Sequence, residues 1–393
     1  MKIAMIGHKR IPLREGGIET VVEELSVRMA ARGHEIHVYN RSLKGFERRK
    51  SYKGVRIITV PTVNWKGPEA LLYSFLATIR ALFGGYDVIH IHAEGPCAFI
   101  WLPRLLHIRT IVTVHGLDWQ RQKWGHLAGS YIRLAERIAA ACADEIIVLS
   151  RKMQEYFQSA YGRTTVYIPN GVNPAVLRPP ELIKEKYGLS KDSYLLFLAR
   201  IVPEKGLHYL LEAFRRIDTD KKLVVAGTGS HSAGYWKKVK EMAEQDKRVV
   251  MTGFVQGQEL EELYSNCCLY VLPSDVEGMP VSLLEAMSFG CPCLTSDIEE
   301  NMEITGDGAA SHFKQGNIED LIRALREALR QGPVYDPVKR NGVLKTAHSW
   351  DKIADSTLKL YSAKEVRRVK QRLKESSFSG EAYENTDVGE LES

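Results

Sequence analysis

The feature that most restricts the fold is an alternation, kept up along most of the chain, of short apolar runs with longer segments whose apolar residues recur at helical spacing. Lys2 to Ile6 reads as a buried strand, and Ile18 to Ala31 as a helix with Val21, Val22, Leu25 and Met29 on one face. Gly33 stops that helix, and Glu35 to Tyr39 supplies the next strand, which completes a βαβ unit. Strand candidates follow at Asp87 to His92, Thr110 to His115 and Glu145 to Ser150, with a helix over Ser130 to Ala143. Such alternation predicts an α/β protein with a parallel, doubly wound sheet, whose ligands sit beyond the carboxyl ends of the strands.

The alternation is interrupted once. Ile168-Pro169-Asn170-Gly171-Val172-Asn173-Pro174 and Arg178-Pro179-Pro180 are turn formers, and a hinge is expected there. A second series then begins, with strand candidates at Tyr194 to Ala199, Lys222 to Ala226, Arg248 to Met251, Cys268 to Leu272 and Cys291 to Thr295. A chain of 393 residues suits two or three domains. The two series predict two Rossmann-like doubly wound domains facing a central cleft, 1–172 and 173–350, with a helical region from 351 to 375. The end, 376–393, is acidic and nearly free of aliphatic residues, so disorder is expected there.

Composition narrows the class. Hydrophobic residues make up 44% and charged residues 26%, enough apolar content for a packed core. No apolar run reaches the roughly 20 residues of a membrane-spanning helix, and the start reads as a strand rather than a secretory signal, which predicts a cytoplasmic protein. The net charge of +6 conceals an uneven distribution. Residues 1–175 carry 24 Lys and Arg against 14 Asp and Glu, whereas 376–393 carry none against five. Arg41, Lys44, Arg48, Arg49, Lys50, Lys53 and Arg56 crowd into one basic cluster over 41–56, and the apolar Ala70 to Leu76 and Ala81 to Phe83 follow it. Such a pairing suits peripheral contact with an anionic membrane surface, placing the protein at the inner face of the plasma membrane. A solvated basic loop beside a core helix is the alternative. Nucleic acid is not expected, since no nucleic-acid module accompanies the cluster. The six cysteines lack the paired spacing of a zinc site and read as buried, reduced thiols.

Four loops could carry chemistry. Gly16-Gly17 stands immediately before the first helix, where exposed amides favour negative charge, although the three-glycine dinucleotide fingerprint is absent. Arg200 and Lys205 follow the first strand of the second series, and two cations at that edge suit a diphosphate. Ala226-Gly227-Thr228-Gly229 places a further glycine loop on the same edge. The most informative run is Pro273-Ser274-Asp275-Val276-Glu277-Gly278-Met279-Pro280-Val281-Ser282-Leu283-Leu284-Glu285. Gly278 breaks the chain and Pro280 suits the first helical position, leaving Glu277 in the loop and Glu285 about two turns inside the helix. Amides of Met279, Val281 and Ser282 at the helix start can meet an anion, while the two carboxylates suit sugar or ribose hydroxyls. Asp218-Thr219-Asp220 has metal-ligand spacing but reads as an ordinary turn; no metal or cofactor is called for.

Over residues 1 to 375 the chain resembles the retaining glycosyltransferases of the GT-B fold, in family four. The match rests on Gly16-Gly17, Thr113-Val114-His115-Gly116, Pro169-Asn170-Gly171-Val172, Arg200 and Lys205, Gly227-Thr228-Gly229, Gly253-Phe254-Val255, and Glu277 with Glu285. The run from Gly7 to Arg41 is further similar to a bacterial subgroup that transfers rhamnose or another hexose in polysaccharide synthesis. The resemblance implies an acceptor-side N-terminal domain, a donor-binding C-terminal domain and a last helix crossing back to the first domain. It implies that Arg200 and Lys205 neutralise a donor diphosphate, helped by the backbone of Gly16, Gly17, Met279, Pro280 and Val281 and by the Gly227 and Gly229 loop. Glu285 would hold the ribose, Glu277 a donor-sugar hydroxyl, Phe254 and Val255 the base, and His115 a sugar hydroxyl near the anomeric centre. The implied substrates are a dTDP- or UDP-linked sugar donor and a glycan or lipid-linked acceptor. A GT-B-like nucleotide-sugar epimerase and a noncatalytic nucleotide-sugar binding protein are the competing readings.

Overall fold

The computed structural model describes residues 1–362 except 14–15, 43–44, 46–47, 63–67, 121–124, 230–232, 307, 332–341, 343 and 345–346. Lys44 of the basic cluster, the helical region beyond 362 and the acidic tail therefore lie outside the described residues.

Eight strands form the first sheet: β1 (Lys2–Ile6), β2 (Glu35–Arg41), β3 (Ser51–Tyr52), β4 (Val55–Val60), β5 (Val88–His92), β6 (Arg109–Val114), β7 (Glu145–Val148) and β8 (Val166–Tyr167). Their order is β3-β4-β2-β1-β5-β6-β7-β8, parallel throughout except for the antiparallel pair β3 and β4. Six strands form the second: β9 (Tyr194–Leu198), β10 (Lys222–Ala226), β11 (Val249–Gly253), β12 (Leu269–Leu272), β13 (Cys293–Ser296) and β14 (Ser311–Phe313). They run β11-β10-β9-β12-β13-β14, all parallel. Each sheet reverses its winding once, between β1 and β5 in the first and between β9 and β12 in the second. These switch points are where α/β sheets open a crevice for ligands. The arrangement is the GT-B fold, two Rossmann-like sheets in one chain.

Parallel strands buried on both faces explain the unbroken apolar runs. Ile3, Ala4, Met5 and Ile6 are wholly buried, as are Leu195, Leu196 and Phe197 of β9. The short edge strands β3, β8 and β14, and β4 between β3 and β2, were not foreseen from sequence, and the hairpin β3–β4 turns at Lys53-Gly54, both at positive φ. Boundaries moved by a few residues. The strand expected through Ser150 stops at Val148, because Ser150 becomes the N-cap of the helix Arg151–Tyr161 and its hydroxyl accepts the Met153 N–H at 3.3 Å. Pro280, read as the first helical residue, is instead the N-cap of the helix Val281–Ser288, with extended backbone.

The chain returns to the first sheet at its end. Residues 350–362 are helical, and Trp350, Ile353, Ala354 and Tyr361 are buried in one core with Ile3, Met5, Val22 and Ile147. Arg32 pairs with Asp351 and Asp355 at 3.0 and 2.9 Å. Where the two crossings of the chain meet, the Val172 N–H donates to the His348 carbonyl at 2.8 Å, and Gly171 packs under the Trp350 ring, where a Cβ would come within 2.5 Å. The six cysteines are unpaired thiols, four of them buried.

Candidate active site

Of the site residues expected from sequence, Gly16 and Gly17 stand at the switch point of the first sheet and Arg200, Lys205, Glu277 and Glu285 at that of the second, whereas His115 follows β6, Gly227 and Gly229 follow β10, and Phe254 and Val255 follow β11. In the second sheet, Arg200 lies two residues beyond the end of β9, and Lys205 closes a short 3-10 turn, Pro203–Lys205, that Gly206 ends at φ +65°. A Cβ on Gly206 would lie 1.9 Å from the Pro273 carbonyl, so the loops after β9 and β12 press directly on one another. This contact brings Lys205 to Glu277: the ammonium and carboxylate form an ion pair with side chains only 13% and 7% exposed. The Ser274 hydroxyl donates to the same Glu277 oxygen at 2.7 Å. A buried pair of this kind is held by geometry, since the attraction must offset the loss of two hydration shells.

The helix Val281–Ser288 begins just beyond, with no side chain capping its N-terminus. Its first amides are therefore not satisfied within the helix and carry the positive end of the helix dipole. Glu285, on the second turn, accepts the Tyr264 hydroxyl at 3.0 Å, and Tyr264 stacks on Phe289 with ring centroids 5.2 Å apart. Tyr264, which fixes the carboxylate, carried no signal in sequence.

The glycine loops serve packing first. Gly227, at φ +145°, leaves 1.9 Å between a would-be Cβ and the Ala199 carbonyl, and a Cβ on Gly229 would meet the Trp236 side chain at 2.8 Å. Phe254, just after β11, is 40% exposed, whereas the Val255 side chain belongs to the core. At the first helix, Gly16 is the N-cap and Glu19 lies against it, its carboxylate accepting the Lys9 N–H at 3.1 Å. An acid thus already faces that helix start. Gly17 looks across to the other half, with Val281 Cγ2 at 3.6 Å from its would-be Cβ.

Two further contacts join the halves at the donor loop. A Cβ on Gly278 would fall 1.7 Å from the His115 carbonyl oxygen, so no other residue lets the loop sit there. Asn170 donates its side-chain amide to the Met279 carbonyl at 3.1 Å. The Pro-Asn-Gly segment therefore positions Met279 as well as turning the chain.

His115 itself, after β6, is buried and faces His92, the last residue of β5, with Nδ1 of His92 3.1 Å from Nε2 of His115. His90 stacks on His92 with centroids 4.1 Å apart; its Nε2 lies 2.7 Å from the Thr113 hydroxyl and its Nδ1 meets the Tyr361 hydroxyl. Burial penalises the charged imidazolium and lowers His90 to about 3 and His8 to about 4, and it pushes His92 far below its ordinary range, with His90, His115 and His8 repelling a second positive charge. His8, His90 and His92 are therefore neutral imidazoles in the core behind His115. Among the described residues, no group of three or more His, Cys, Asp or Glu could hold a metal ion, and Asp218 to Asp220 lies in the connection between the helix Leu207–Arg215 and β10.

Comparison with known proteins agrees in both halves. Residues 15–176 match the model of Glycosyltransferase Family 4, and residues 180–345 that of Glycosyl transferases group 1. The chain is 25% identical to an uncharacterized glycosyltransferase of Methanocaldococcus jannaschii, over 92% of this chain and 98% of that one. It is 27% identical to the GDP-mannose-dependent alpha-(1-6)-phosphatidylinositol monomannoside mannosyltransferase of Mycolicibacterium smegmatis, over 79% and 85%. Among solved structures, the sucrose-phosphate synthase of Thermosynechococcus elongatus superposes with a TM-score of 0.78 at 20% identity, covering 93% of this chain and 99% of that one. HepE of Anabaena, in complex with UDP and glucose, superposes with a TM-score of 0.77 at 16% identity, covering 92% and 100%. The chain is therefore a glycosyltransferase of the GT-B fold, family 4-like in its N-terminal half and group 1 in its C-terminal half.

Proposed function

We propose that the chain transfers a hexosyl or deoxyhexosyl group, with retention and without a metal, from a nucleoside-diphosphate sugar to a hydroxyl of a glycan or lipid-linked acceptor in bacterial surface-polysaccharide synthesis. The observation that carries the reading is the buried Lys205–Glu277 pair at the switch point of the second sheet, facing His115 through Gly278. Curated relatives support the substrate classes. They include the mannosyltransferase above, named for its GDP-mannose dependence, and the alpha-monoglucosyldiacylglycerol synthase of Streptococcus pneumoniae, 25% identical over 85% of this chain. The complex of HepE with UDP-glucose supports a uridine-linked sugar among the candidate donors.

In this reading Lys205 and Arg200 receive the diphosphate, with the first amides of the helix Val281–Ser288 adding fixed positive potential where the leaving group gains charge. Binding of the diphosphate draws Lys205 away from Glu277, whose carboxylate then accepts a donor-sugar hydroxyl. Glu285, steadied by Tyr264, takes the ribose hydroxyls, and Phe254 with the Val255 backbone flanks the base. His115 hydrogen-bonds a sugar hydroxyl beside the anomeric carbon. The acceptor hydroxyl attacks on the face the nucleotide leaves, the C–O bond to the diphosphate breaks, and a departing phosphate oxygen takes the acceptor proton.

Membrane contact is part of the same proposal. Arg48, Arg49, Lys50, Lys53 and Arg56 are exposed, and the helix Pro68–Leu82 exposes Leu71 and Phe75, each a little over 40%, with Phe83 beyond it at 85%. Arg41 is excluded from that surface because its guanidinium lies over the Tyr73 ring at 4.8 Å. No helix among the described residues is long and apolar enough to cross a membrane. Thermal-shift screening of UDP-, dTDP- and GDP-sugars identifies the donor, since a bound ligand stabilises the folded state by mass action. Turnover of that donor should collapse in Lys205→Ala and Glu277→Gln while the circular dichroism spectrum stays native; undiminished turnover would overturn the reading. Flotation with anionic liposomes should fall when Arg48, Arg49 and Lys50 are neutralised together, and unchanged flotation would remove the membrane contact from it.

A further inference from the structure

We infer that His92 is the positioning residue for His115: its Nδ1–H donates to Nε2 of His115 and fixes His115 as the neutral tautomer whose N–H is on Nδ1. The inference rests on the role given to His115 above. His92 is not free to adjust. It ends β5 at the switch point of the first sheet, pairs in register with Thr113 of β6, and is pressed from the β1 side by Gly7, where a Cβ would lie 2.0 Å from the His92 carbonyl oxygen. Its ring lies against that of His90, with centroids 4.1 Å apart and 32° between the planes, and meets His115 edge to edge, with centroids 5.4 Å apart and 28° between the planes. His90 is itself fixed by the Thr113 and Tyr361 hydroxyls, so the row is anchored on a strand and on the helix 350–362 that packs behind the sheet.

The direction of the hydrogen bond follows from the other nitrogen. Nε2 of His92 is sealed from solvent and has no hydrogen-bond partner among the described residues. If His115 donated to His92, a neutral His92 would bury an unpaired N–H at Nε2; with His92 donating, Nε2 is a bare lone pair. Unpaired buried N–H groups are the rarer and more costly of the two. A single proton between two neutral rings then settles both tautomers, because each imidazole carries one N–H and one acceptor. The consequence for chemistry is specific. With Nε2 receiving from His92, the one N–H of His115 is on Nδ1, so toward a sugar hydroxyl His115 acts as a hydrogen-bond donor and not as an acceptor.

Nitrogen-15 spectra of ring-labelled histidine on the full chain, with no ligand added, test this directly. His92 and His115 should each show one neutral tautomer with the proton on Nδ1, and His92→Leu should leave His115 averaging between its two forms. With the donor found by thermal shift, kcat should fall roughly tenfold to a hundredfold in His92→Leu, the span commonly lost with a hydrogen bond that orients a functional imidazole, with donor KM within about twofold. His92→Asn, whose side-chain amide can replace Nδ1–H, should recover most of the loss. A proton on Nε2 of His115 in the native chain, a folded His92→Leu with native kcat, or His92→Asn failing as badly as His92→Leu would each overturn the assignment. If His92→Leu does not fold, the native spectrum and the Asn variant decide. If the native chain turns over no nucleotide sugar, the functional reading fails, and the spectra still judge the His92–His115 pair.

Discussion

Lowering the pH from 7.5 to 5 should weaken the N-terminal half through its buried histidines. In the unfolded chain His8 and His90 take up a proton near the ordinary value of 6.5; in the folded chain burial holds them neutral down to about 4 and about 3. Between those limits the unfolded state binds more protons than the folded one, so stability falls as the pH falls. The contribution is fully present above 6.5 and is lost progressively below it. At pH 5 the unfolded chain gains about 2 kcal/mol from each of the two groups, from 1.36 kcal/mol per unit of pKa difference, and on the order of 4 kcal/mol from both. His92 acts in the same direction. Against the 5–15 kcal/mol typical of a domain, that is a large share. The assay is urea unfolding at constant ionic strength at pH 7.5, 6.5 and 5, repeated on His90→Gln, which cannot titrate. The variant will be less stable at pH 7.5, having lost contacts with Thr113 and Tyr361, but its deficit should shrink by about 2 kcal/mol at pH 5. Parallel curves for the two proteins, or a native stability that does not change over this range, would refute the argument that these imidazoles are neutral because they are buried.

Other substitutions probe the cleft. Gly278→Ala should nearly abolish transfer while leaving the circular dichroism spectrum native, because its Cβ would lie 1.7 Å from the His115 carbonyl oxygen and must push the donor loop off the N-terminal half; retained kcat would show that this contact is dispensable. Tyr264→Phe removes the hydroxyl 3.0 Å from Glu285 and should weaken donor binding about fivefold, the equivalent of about 1 kcal/mol for one hydrogen bond, measured by calorimetry against the bare nucleotide. In a double-mutant cycle at Lys205 and Glu277, Lys205→Met alone should cost roughly 3–5 kcal/mol of stability by leaving a buried carboxylate unpaired, and adding Glu277→Leu should recover most of it; additive losses would show that the pair is not coupled.

Much of this molecule is determined by local pattern. The alternation of apolar runs with helical periodicity was enough for two parallel sheets, because strands buried on both faces must be apolar along their whole length and their crossovers must be helices. The spacing of Glu277, Gly278, Pro280 and Glu285 was enough to put one carboxylate in a loop and the other on a helix, since glycine and proline dictate that break through their own backbone restrictions. Edge strands such as Ser51–Tyr52 and Ser311–Phe313 left no comparable mark, being two or three residues long and paired on one side only.

What lies across the cleft was decided only by the tertiary structure. Nothing near Lys205 in sequence indicates that it pairs with Glu277, a contact created by Gly206 letting the loop after β9 touch the loop after β12. Gly278 reads locally as a chain breaker, yet its missing side chain is what admits the His115 carbonyl from the other half. His90 and His92 read as strand residues, and the row they make with Tyr361 and His115 joins positions separated by up to 271 residues. Backbone propensity acts over a few residues and can be read from them; electrostatic pairing, burial and close backbone approach depend on which distant segments the fold brings within a few ångströms.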